Sequence, residues 1–200
     1  MKYFRKIYDV FTFLIILIGV ISLIKGEYYL AVVWIMFTPL VMLLPRNLYK
    51  INSIKLNYKL EIVDFYEMCV LILLITSAGL TLGLKHINID FDSFSHFLNL
   101  LIYTLLFGIT YYLIRSGNNS AGNLEVALIS LAVVWVFGVF LWEKFQYLND
   151  QIFGTRMFFD EFQAIELDSF LDQIFGSIGV IIGSVLIYFK IEHFIKIWKR

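Results

Sequence analysis

Six apolar stretches, each close to the length of a membrane span, constrain this chain more than any other feature. They cover about residues 9–25, 28–44, 62–84, 94–114, 124–142 and 172–190, and a helix needs roughly 20 residues to cross a hydrocarbon core of ~30 Å. Lipid offers no hydrogen-bond partner, so such stretches satisfy their own backbone groups as helices. Charged residues make up only 16% of the chain and hydrophobic ones 60%, where a soluble domain carries about 25% charge. One soluble core of 200 residues could not hide that much apolar surface. The expectation is an all-α, polytopic transmembrane bundle of about six spans. The first two spans are short and call for snorkelling flanks. Pro39 is expected to kink or loosen the second, and Pro45 to end it. Ile24 is followed by Lys25-Gly26-Glu27 rather than a small-x-small cleavage site, so the first stretch reads as a retained span. The division expected is an N-terminal hairpin with a basic loop over 1–60, then a four-span core over 61–200. Span five should lie between four and six or touch both.

Charge placement gives an orientation. Lys2, Arg5 and Lys6 precede span one; Arg46, Lys50, Lys55 and Lys59 lie between two and three; Arg115 follows four; Lys190, Lys196, Lys199 and Arg200 close the chain. Only Lys25, Lys85, Lys144 and Arg156 fall on the other side. The positive-inside rule then puts both termini in the cytoplasm of a cell-membrane protein, as an even span count requires. Ten acids, among them Glu27, Asp90, Asp92, Glu143, Asp150, Asp168 and Asp172, gather on the outer side. Acids contribute little to orientation, so topology alone does not account for them. The formal net charge is zero, which leaves the lipid bilayer as the expected partner and no nucleic acid. Oligomeric state is not set by the sequence. The lone Cys69 excludes an internal disulfide and a CxxC site, and reads as a small buried hydrophobe. Asp64, Glu67 and Glu125 suit helix N-termini, and His193 sits among lysines on an inner, lipid-touching tail. No nucleotide loop, nucleophile elbow or HExxH motif is present.

The outer ends of spans four, five and six carry the candidate site. Asp92 and His96 are four apart and share a helix face, which Asn99 and Tyr103 continue. Glu143, Gln146 and Asp150 share a face if span five runs on past the membrane. Asp168, Asp172, Gly176, Gly179 and Gly183 form one stripe, whose glycines suit close helix packing. A polar stripe entering an apolar helix should face protein or water rather than lipid. An outward-facing pocket of Asp92, His96, Glu143, Gln146, Asp150, Arg156, Asp168 and Asp172 follows, with His96 and Glu143 as candidate catalytic groups. Asp92, His96, Glu143 and Asp172 are candidate ligands for a divalent metal. Such an oxygen-rich set with one imidazole suits zinc or manganese, and calcium or magnesium less well. The plainer alternative makes Asp92 and Asp168 helix N-caps and His96 an interface side chain. The segment 143–171, with Phe153, Met157, Phe158, Phe159 and Phe162, reads as an interfacial aromatic belt or a lid, with Arg156 its single fully basic side chain beyond Lys144.

These motifs resemble two related families. Asp92/His96/Phe97, then Glu143/Gln146, Arg156 and Asp172/Gly179, resemble VanZ-like membrane proteins. Trp142-Glu143, Asp150, Phe153-Gly154-Thr155-Arg156-Met157 and Asp168-xxx-Asp172 are similar to the YjdF-like bacterial membrane proteins. The likeness covers about residues 62–190. Gly176 departs from the Asn or Asp of those patterns, and Gln146 from the second acid of the YjdF-like one. The resemblance implies a prokaryotic cell-membrane protein with a shared polar site and supplies no reaction. From the residues, the leading expectation is binding of a lipid headgroup, a lipid-linked envelope precursor or a cation. The alternatives are a membrane-embedded, metal-dependent hydrolase of phosphates or esters at the outer leaflet; a transporter, for which Asn99, Tyr103 and Thr110 give only a thin polar path; and a structural subunit docking a partner on its glycine stripe.

Overall fold

A computed structural model of the chain describes residues 2–51, 58–81, 91–115, 122–154 and 165–199. Among these, all regular structure is helical, with no β-sheet and one isolated bridge between Tyr58 and Lys199. The helices are α1 (Lys2–Ile24), α2 (Tyr28–Leu48), α3 (Glu61–Thr81), α4 (Phe91–Arg115), α5 (Asn123–Phe153) and α6 (Ile165–Trp198). Six of them are long and apolar enough to cross a membrane. The protein is an integral, multi-pass, six-helix membrane protein.

Local sequence explains the helix ends. Glu61 and Asp64 lie in the first turn of α3; Asp92 and Arg115 lie in the first and last turns of α4. Each complements the helix dipole. Helix α5 stops where Gly154 takes a left-handed φ of 64° and donates its N–H to the Asp150 carbonyl, a conformation that favours glycine. Two helices contain a wide π turn. In α2 it covers Val33–Phe37, just before Pro39. Proline has no N–H to offer the Ile35 carbonyl, so loosening there is the expected response. Pro45 does not end α2: the helix continues to Leu48. Its ring removes a single donor, the one for the Val41 carbonyl, and the turns beyond it still close, with the Tyr49 N–H on the Pro45 carbonyl and the Ile51 N–H on the Leu48 carbonyl, each at 3.1 Å. The π turn in α5, Trp135–Phe140, has no proline behind it and left no mark in the sequence pattern.

The chain divides into two compact units, Met1–Gly83 with Lys196–Arg200, and Leu84–Ile195. In the first, α1 and α2 pack where Gly19 meets Trp34 and Ile35. A core of Tyr8, Ile15, Trp34, Met42, Val70, Leu71 and Ala78 joins them to α3. Tyr8 donates a hydrogen bond to the Met42 carbonyl at 3.0 Å. Glu67, expected as a dipole-complementing acid, is instead fully buried and accepts a 2.7 Å bond from Arg46 Nε. A carboxylate one turn inside an apolar helix needs such a counter-charge. Cys69 is buried among apolar neighbours, as expected. The end of α6 returns here: the Lys59 N–H bonds the Trp198 carbonyl at 2.7 Å, and the Trp198 ring lies 5.0 Å from that of Phe65.

In the second unit α4 and α6 make backbone-level contact along the glycine stripe. A Cβ on Gly179 would meet the Phe97 carbonyl oxygen and stand 3.1 Å from the Leu101 nitrogen; one on Gly183 would meet Thr104 and the Leu101 carbonyl. Helix α5 touches both partners. Its Gly138 rests on Leu100, Val139 approaches Gly176, and Trp135 Nε1 donates to Ser177 Oγ at 3.1 Å. Leu100, Val134, Val139 and Val180 form the apolar centre.

Candidate metal centre

The glycine stripe decides which side chains meet. Residues one to two turns before Gly179 on α6 inherit its close approach to α4, and Asp172 is thereby held beside His96. The His96 Nε2 atom lies 3.4 Å from Asp172 Oδ2 and 3.6 Å from Asp92 Oδ1. One ligand atom from each of the three residues lies within 4.8 Å of the others. The side chains are 10% (His96), 8% (Asp172) and 20% (Asp92) exposed. The other Asp172 oxygen, Oδ1, is fully buried. Ser95 Oγ donates to the Asp92 carbonyl at 2.8 Å and fastens the turn that carries Asp92.

At these separations His96, when protonated, forms an ion pair with both carboxylates, and the same three side chains stand close enough together to share a cation. Ligand atoms around a tetrahedral ion with bonds of about 2.1 Å stand about 3.4 Å apart. Two carboxylates and an imidazole supply one nitrogen and two hard oxygens, a donor set for zinc or manganese. A four-coordinate ion held by these three residues would keep one position open. The molecule thus contains a buried Asp/His/Asp cluster able to coordinate a metal ion.

The remaining candidates are placed around that cluster in different ways. Glu143, on α5, is buried and accepts a 2.8 Å hydrogen bond from Ser169 Oγ on α6. It is not one of the three clustered ligands. Ser169 in turn accepts from Gln173 Nε2 at 3.2 Å. Asp168 is buried and is an electrostatic neighbour of Glu143. It lies in the first turn of α6, three residues past Ile165, and not at the N-cap. Gln146 and Asp150 are half-buried on the face of α5 that also buries Glu143 and Asn149. Tyr103 is exposed, so the polar stripe of α4 does not run inward as a buried line. Of the segment 143–171 expected as a belt or lid, 143–153 and 165–171 are helical, and 155–164, with Arg156, lies outside the described residues.

One partner of Glu143 escaped the sequence reading. Ser169 lies between two acids at helical spacing from Gln173, and that spacing was the available signal. Asn149 is also buried on α5, where its amide donates to the Phe145 carbonyl of the same helix. Comparison with protein-family models, with curated proteins and with solved structures finds no match.

Proposed function

We propose that this protein binds a divalent metal ion, zinc by donor preference, through Asp92, His96 and Asp172 on the outer face of the cell membrane. The open coordination position then takes an anionic or carbonyl oxygen of a membrane-borne molecule. The observation that carries the reading is the pair of 3.4 and 3.6 Å separations converging on His96 Nε2. The outward placement rests on the distribution of lysine and arginine. Motif likeness to VanZ-like and YjdF-like proteins supports the same end of the bundle as the working site.

A second reading is favoured by the ligand count: a metal-dependent hydrolase of phosphate or ester bonds. Zinc with an open position polarises a phosphoryl or carbonyl oxygen and lowers the pKa of bound water. In that reading Asp92, Asp172 and His96 would be the three protein ligands, the two carboxylates balancing the charge of the ion. Glu143, on the neighbouring helix α5 and bonded by Ser169, would serve as the acid–base group, taking the proton of the attacking water and returning it to the leaving oxygen of the ester. The test is metal content of the purified protein by mass spectrometry, against His96→Ala and Asp172→Ala, with and without chelator. The expected result is about one equivalent in the native chain and loss of it in both variants. Native protein free of divalent metal, and unmoved in thermal stability by added zinc or manganese, would overturn the reading.

A further inference from the structure

A second polar feature lies between α5 and α6, in the same unit as the metal ligands but built from other residues. Glu143, Lys144 and Tyr147 on α5 and Ser169 and Gln173 on α6 line an open cleft of about 230 Å³. None of the five belongs to the Asp92–His96–Asp172 cluster. Its volume is below the roughly 300–1,000 Å³ of sites that enclose a whole drug-sized ligand. A compact polar group fits it, with the rest of the ligand outside.

What lies outside is apolar. Phe140, Phe145, Phe170 and Ile174 are all exposed large hydrophobics on the helices that form the walls. Trp142 stacks on Phe145 with ring centroids 5.3 Å apart. Lys144, with its ammonium 6.0 Å from the Phe140 ring centroid, and Tyr147 complete an aromatic and basic girdle. Side chains of this kind gather where hydrocarbon meets headgroups. A polar cleft opening among such side chains suits the headgroup of a phospholipid.

The lining specifies the headgroup. Lys144 and the Gln173 amide are donors for a phosphate diester. The Glu143 carboxylate, held by Ser169 at 2.8 Å, is an acceptor that a second donor group can use. We propose that this cleft binds a phospholipid whose headgroup donates hydrogen bonds beyond the phosphate, an ethanolamine or a glycerol. The phosphate faces Lys144 and Gln173, and the distal ammonium or hydroxyl faces Glu143. A choline headgroup has no donor for Glu143 and brings its bulk against the carboxylate instead.

Native mass spectrometry tests this on the full chain, delipidated in detergent and then given equal amounts of dioleoyl phosphatidylethanolamine, phosphatidylglycerol and phosphatidylcholine. The first two are expected to be retained about tenfold over the third, which is the value of one charge-assisted hydrogen bond. Lys144→Met and Gln173→Leu alter exposed side chains, so folding should survive, as circular dichroism will show. Each is expected to lower retention about tenfold while leaving metal content unchanged. Retention of phosphatidylcholine equal to the others, or retention unchanged in both variants, would overturn the proposal. The same measurement under chelator separates the two sites. Lipid selectivity that persists without metal supports the cleft whether or not the metal reading holds; selectivity that vanishes with the metal overturns an independent cleft.

Discussion

Gly179→Ala is the substitution whose consequence the structure fixes most tightly. The added methyl would meet the Phe97 carbonyl oxygen, with the Leu101 nitrogen at 3.1 Å and the Phe97 carbonyl carbon at 3.2 Å. All three are backbone atoms of α4 and cannot rotate away. Relief requires α6 to move off α4 by roughly 1 Å, since non-bonded heavy atoms settle about 3.5 Å or more apart. Overpacking of this kind costs about 1–3 kcal/mol, and alanine's better helix propensity returns up to about 1 kcal/mol. The net expectation is a loss of about 1–2 kcal/mol. Gly176→Ala is the internal control, because its methyl meets the tip of the Leu100 side chain, Cδ1 at 2.6 Å, which can turn aside. That variant should stay within about 1 kcal/mol of the native chain. The displacement also opens the 3.4 Å gap between His96 and Asp172, so Gly179→Ala should bind zinc about tenfold more weakly, the lower end of supporting-shell effects on metal sites. Denaturant titration in detergent, followed by tryptophan fluorescence, and zinc titration of the same samples read both quantities. Gly179→Ala matching Gly176→Ala in stability and in zinc affinity would refute the packing argument.

Two further substitutions probe the buried polar groups. Arg46→Ala leaves the Glu67 carboxylate fully buried without its 2.7 Å partner and should destabilise by about 3–5 kcal/mol, most of it recovered in the Arg46→Ala/Glu67→Leu double variant; denaturant titration decides. Ser169→Ala removes the hydroxyl that bonds buried Glu143 and should cost about 1–3 kcal/mol while leaving metal stoichiometry unchanged, because neither residue is in the ligand cluster.

Much of the architecture was legible because hydrophobic length is read directly by the bilayer. Every expected span corresponds to a helix, and the spacing of four between Asp92 and His96 brought those two side chains together. The boundaries were less legible. Span five was expected to end at 142 and its helix runs to Phe153; span six was expected to open at 172 and its helix begins at Ile165. At 34 residues α6 is about 51 Å long at 1.5 Å per residue, longer than any hydrophobic core, and hydropathy does not register the polar turns that extend it. Periodicity put Asp92 with His96, but only the backbone contact at Gly179 selects Asp172 as the acid that reaches the imidazole. Glu143 is also a buried acid, yet it is bonded by Ser169 Oγ and is not among the clustered ligands. The Arg46–Glu67 pair joins residues far apart in sequence, one counted as a loop base and the other as a helix-start acid. Neither position alone announces the pairing, although an acid one turn inside an apolar span was itself the clue.

X-ray absorption at the zinc edge of the metal-loaded protein tests the central assignment most directly. The account predicts one imidazole nitrogen and otherwise oxygen ligands at about 2.0–2.2 Å, with the imidazole signal lost in His96→Ala. A sulfur shell near about 2.3 Å, or a spectrum unchanged by His96→Ala, would contradict it.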